Sequence, residues 1–191
     1  MGDIPCTLVG QPKILQPKSQ PNHKLSYKGL CLFDIDGTLT TGENNEQVID
    51  ICLNAGYAVG ISTAGSMYHP KNLLSFSWMP KNLYKFMQEH NFDTFNNVAS
   101  DILAGKYDPQ EYKIIKDNYS GHKVWGLLKG HSLMVTASKY NIIDPTKMVL
   151  FDNDPIFLQG LQDYNKNLNL VCAGSPCGEN LSPKTVIKAL S

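Results

Sequence analysis

Short apolar runs recur along the chain from Gly29 onward: GLCLFDI at 29–35, YAVGI at 57–61, a weaker run at 95–99, KMVLF at 147–151 and LNLVCAG at 168–174. Apolar runs of this length, bounded by turn formers, predict strands buried on both faces. The segments between them have a different rhythm. In ENNEQVIDICLNAG (43–56), Val48, Ile49, Ile51, Cys52 and Leu53 alternate with polar positions and the pattern stops at Gly56, which predicts a helix closed by glycine. KNLYKFMQEHN (81–91), KGHSLMVTASKYNI (129–142), PIFLQGLQ (155–162) and LSPKTVIKAL (181–190) predict further helices. Strand and helix in alternation imply βαβ units and a parallel sheet, an α/β fold without internal repeats.

Two stretches break the rhythm. Residues 1–28 are rich in Pro, Gln and Lys and read as an extended arm before a single domain at 29–191. Around 100–128 the chain is polar and Tyr-rich, with Gly105, Pro109 and Gly121 as interruptions. It reads as a modest insertion facing a substrate.

Charge narrows the partners. The formal net charge is +0, and all 17 basic residues are Lys, so neither nucleic acid nor a membrane surface is favoured. Any phosphate contact must use ammonium groups or backbone amides, without a guanidinium fork. The five cysteines, Cys6, Cys31, Cys52, Cys172 and Cys177, are odd in number and scattered, which predicts free thiols in a reducing, cytoplasmic setting. Cys172 and Cys177 lack a second pair at zinc-ligand spacing, and the histidines form no HExxH cluster. The first residues lack the basic-then-apolar design of a secretory leader, and no stretch is long enough to span a bilayer. Gly2 is followed by Cys6 where a myristoylation signal has Ser or Thr.

The chemistry gathers where strands end. In an open parallel sheet, ligands bind beyond the carboxyl ends of the strands, where strand order reverses. The polar residues there are Asp34 and Asp36, Ser62 and Thr63, and Asp152, Asn153 and Asp154. Two carboxylates one residue apart repel unless a cation or a shared proton intervenes, and oxygen donors of this kind suit Mg²⁺. Asp34 would give a carboxylate, Asp36 its main-chain carbonyl, and Asp152 or Asn153 a third oxygen. The plainer alternatives are N-capping aspartates at 34 and 36 and an Asx turn at 152–154.

DIDGTLT at 34–40 resembles the first motif, DxDGT, of the haloacid dehalogenase superfamily of phosphatases and phosphotransferases. The STAGS stretch after the second strand, Lys129 at the head of KGHSL, and MVLFDNDP resemble the second, third and fourth motifs, in order. The resemblance implies a Rossmann-like doubly wound sheet with a small insertion between the second and third motifs. It further implies a Mg²⁺-dependent phosphatase in which Asp34 is the nucleophile, Asp36 the acid and base, Thr63 (or Ser62) a phosphoryl contact, and Lys129 the balancing charge. Lys123, Lys139 and Lys147 compete with Lys129, which is favoured by its place at a helix start. The metal would rest on Asp34, Asp36, Asp152 and Asn153. The fourth motif departs from the common Gly-Asp or Asp-Asp pair and matches a variant Asp-Asn pair. With only a small cap, the substrate is a phosphorylated small molecule or macromolecule. A phosphotransferase, a polynucleotide end-phosphatase and a catalytically silent binding module are the rival functions.

Overall fold

The computed structural model describes residues 26–105 and 122–191, together with residues 110, 113 and 117. Five parallel strands form one sheet: β1 (Gly29–Phe33), β2 (Tyr57–Thr63), β3 (Phe95–Asn97), β4 (Met148–Asp152) and β5 (Asn169–Cys172), in the order β3-β2-β1-β4-β5. The α-helices among the described residues are α1 (Asn45–Asn54), α2 (Lys81–Glu89), α3 (Val98–Leu103), α4 (His122–Lys139), α5 (Pro155–Tyr164) and α6 (Pro183–Leu190). The chain is thus an α/β protein with a Rossmann-like sheet.

Helices α1, α2 and α6 form one packed group and α3, α4 and α5 another, each group resting on the sheet. Every residue of β1, β2 and β4 is buried, as it must be for strands covered on both faces. That is why these strands read as unbroken apolar runs. Phe33 pairs with Ile61 on one side and Phe151 on the other, and the Phe33 and Phe151 rings stack at 4.8 Å. The three central strands therefore end within two residues of one another, and strand order reverses between β1 and β4.

Several elements differ from expectation. Helix α4 begins at His122, so Lys129 lies well inside it and not at its start. Gly126 lies in the part of α4 that precedes the expected start. A Cβ at Gly126 would lie 2.2 Å from the main-chain oxygen of Phe157, and one at Gly160 would lie 2.5 Å from that of Lys123. Absent side chains let α4 and α5 touch backbone to backbone, and this packing offsets the ~1 kcal/mol that glycine costs inside a helix. The strand expected through residue 99 ends at Asn97, whose side chain accepts the Ser100 N–H and caps α3. Much of the expected insertion lies outside the described residues, as do residues 1–25 of the expected arm. Tyr27 of that arm packs against the domain, its ring near Phe86 and Tyr140 and its hydroxyl 3.0 Å from His90 Nε2.

The thiol expectation also needs correction. Cys172 and Cys177 form a disulfide, because the turn after β5 brings their Cα atoms to 5.4 Å, within the span a disulfide bridges. Cys31 and Cys52 are free and buried in the core, as expected. No helix among the described residues is long and apolar enough to cross a membrane.

Candidate active site

Strand β1 ends at Phe33 and the chain enters a wide turn at Ile35–Leu39, broken at Asp36 and Gly37. Gly37 has φ +79°, a conformation that side chains disfavour, and a Cβ there would strike the Asn153 amide at 2.1 Å. The buried Thr38 hydroxyl donates to the Ala173 carbonyl, tying the turn to the chain after β5. Asp34 is thereby left just past the strand end, with its N–H bonded to the Phe151 carbonyl of β4.

Lys129 is fully buried, and its ammonium donates to Asp34 Oδ1 at 2.7 Å and to Asp152 Oδ2 at 2.6 Å. Helix α4 crosses beneath the β1 and β4 ends and delivers this charge from below, with the ammonium 4.7 Å from the centre of the Phe157 ring. Burial by itself pushes an ammonium down, but the charges of Asp34 and Asp152 and their hydrogen bonds outweigh it and hold Lys129 above its ordinary value. Burial pushes the Asp34 carboxyl up to about 7 against the pull of Lys129, with Asp152 and Asp36 adding to the push. Two carboxylates thus share one ammonium, with the charge of a third, Asp36, close by. The other candidate lysines are elsewhere: Lys123 pairs with Asp163, and Lys139 lies 3.6 Å from Asp93.

Above this triplet opens a cleft of about 440 Å³, whose walls include Asp34, Asp36, Thr63, Asn153, Asp154 and Phe157. Thr63 lines it, whereas Ser62, its neighbour on the alternating strand, does not. The Thr63 hydroxyl accepts the Gly65 N–H at 3.1 Å, which leaves its own proton to donate. Asp152 sits below the cleft: Oδ2 is on Lys129 and Oδ1 accepts the Asp154 N–H at 2.9 Å. Asn153 lies at the wall, its Nδ2 donating to the Ser175 carbonyl at 2.8 Å, so Oδ1 is its remaining polar end. Asp154 caps α5 through the N–H groups of Ile156 and Phe157. The Asx turn is therefore present in this stretch, and Asn153 and Asp154 also line the cleft.

Sequence reasoning missed Tyr68. Its hydroxyl donates to Asp36 Oδ1, while its ring is buried edge-on to Phe76 and Trp78. Burial, then the Asp36 hydrogen bond and charge, hold the phenol well above its usual range, so it remains a donor. An aromatic 32 residues from its partner carries no local signal.

Among the described residues, no group of three His, Cys, Asp or Glu side chains is arranged to hold a metal ion. A cation here would depend on the Asp34 carboxylate, the Asn153 amide oxygen, the Asp36 main-chain carbonyl and its own waters. That sparse oxygen set, beside an excess of carboxylate over ammonium, fits the habits of Mg²⁺.

Fold and site together define the class: an α/β protein with polar residues gathered at the switch point of a parallel sheet. Comparison with protein-family models, with curated proteins and with solved structures finds no match for the chain.

Proposed function

We propose that this protein is a Mg²⁺-dependent phosphatase of the haloacid dehalogenase type, which hydrolyses a phosphate monoester through an aspartyl-phosphate on Asp34. The observation that carries the proposal is the buried Lys129 bound at once to Asp34 and Asp152 beneath a cleft that Asp36 and Thr63 also line. An ammonium so placed aligns one carboxylate oxygen and leaves the other facing the cleft.

Asp34 Oδ2 attacks phosphorus as the bond to the ester oxygen breaks, and Asp36 gives its proton to that oxygen. Asp36, now a carboxylate, takes a proton from the water that attacks the aspartyl-phosphate, which releases inorganic phosphate and restores Asp34. Acid and base help of this kind is worth about 10²–10⁴-fold. The Thr63 hydroxyl donates to a phosphoryl oxygen. Lys129 stabilises the Asp34 carboxylate and balances the charge that develops on it. Bound Mg²⁺ would neutralise phosphoryl oxygens and screen them from Asp34.

Turnover of an aryl phosphate with Mg²⁺, with a chelator, and by Asp34→Asn tests the proposal. Hydrolysis by the Mg²⁺-loaded wild type alone is expected. Equal rates in all three would remove the proposal.

A further inference from the structure

We propose that Tyr68 is the positioning residue for Asp36: its hydroxyl pins the Asp36 carboxylate toward the cleft and leaves Oδ2 as the oxygen that carries the proton. This rests on the phosphatase proposal above and specifies how its acid is held.

The two acids of the turn are held differently. Asp34 is buried and immobilised by Lys129. Asp36 is exposed, on a backbone kink beside Gly37, and the described residues give its carboxylate one side-chain partner, Tyr68. An exposed Asp would otherwise sample several rotamers, and a misplaced acid forfeits much of its rate contribution.

Tyr68 is itself well fixed. It is 4% exposed, its ring centroid lies 5.4 Å from Phe76 and 5.8 Å from Trp78, and its main-chain carbonyl accepts Asn97 Nδ2 at 2.9 Å. The same amide reaches the Gly65 carbonyl at 2.7 Å, so Gly65 and Tyr68 are both fastened to the end of β3. Gly65 makes room for the contact, since a Cβ there would lie 2.8 Å from the Tyr68 ring and 3.1 Å from Asp36 Oδ2.

With Oδ1 accepting from the phenol, the transferable proton resides on Oδ2. As Asp34 bonds to phosphorus, the electron pair of the breaking P–O bond stays on the ester oxygen, which takes the Oδ2 proton. The carboxylate left behind keeps the phenol hydrogen bond, and a bond to a charged acceptor is stronger than one to a neutral acceptor.

Tyr68→Phe deletes one oxygen and keeps the ring. The informative readout is kcat/KM for two esters, because it reports the first chemical step and only a poor leaving group demands the acid. For glycerol phosphate, an alkyl ester, Tyr68→Phe is expected to lower kcat/KM by about tenfold or more, and for 4-nitrophenyl phosphate by less than about threefold. Asp36→Asn should show the same preference more deeply, and the double variant should be no worse than Asp36→Asn alone. Equal losses on both esters, or losses that multiply in the double variant, would overturn the proposal. Should Tyr68→Phe fail to fold, Phe76→Leu keeps the hydroxyl but loosens the ring. It should show the same leaving-group preference in milder form, and a uniform loss would count against Tyr68. Failure of the phosphatase proposal looks different: the wild type hydrolyses neither ester, or Asp34→Asn matches it.

Discussion

At the scale of single residues, the decisive fact is that one ammonium serves two buried carboxylates. Removing one member of a buried ion pair leaves charge without compensation and typically costs about 3–5 kcal/mol. Lys129→Met keeps the volume and should destabilise by about that amount in urea unfolding; a loss under about 1 kcal/mol would mean that water relieves Asp34 and Asp152. The acids were legible because DIDGTLT ends an apolar run with charges that a buried strand end cannot hold unaided. Lys129 was legible as a residue but not as a position, since the turns of α4 before it show no helical periodicity. Whether Asp152 or Asn153 faces the cleft could not be read, because the answer depends on Lys129 claiming the Asp152 carboxylate from another element. The disulfide was hidden for a similar reason: five cysteines in a sequence say nothing about which two a turn brings together.

At the scale of elements, α4 and α5 act as a pair. Their glycines set the separation, and Lys123 of α4 meets Asp163 of α5 at one edge of the contact. The hydrogen bond from Lys123 holds the Asp163 carboxyl below its ordinary value. A carboxyl depressed in the folded state contributes stability above its unfolded value, near pH 4, and loses it as pH falls through the folded value. The side chains are about one-third exposed, so solvent limits the effect to about 1 kcal/mol or less. Asp163→Asn should lower the urea midpoint at pH 7, and the gap to the wild type should close as pH falls below about 4. A gap that persists in acid would assign the loss to packing. Periodicity predicted both helices, but it underestimated α4 because HKVWGLL has no polar stripe, its outer turn being packed against a second helix.

For the whole molecule, the site belongs to the middle of the sheet. β1, β2 and β4 carry Asp34, Thr63 and Asp152, while the edges are a three-residue β3 and a four-residue β5. Protection of backbone amides tracks local opening and reaches the global value only in the most stable elements. Hydrogen exchange should therefore be slowest at residues such as Cys31 and Leu150 and faster at Asn97 and Val171. Uniform protection across all five strands would contradict this gradient. The same layout separates two kinds of hold. The triplet of Asp34, Lys129 and Asp152 is anchored in the centre, whereas Tyr68 hangs from Asn97 at one rim and Asn153 from Ser175 at the other. Warming should slacken the margins before the anchor, so the hold on Asp36 is lost while Asp34 is still locked in place.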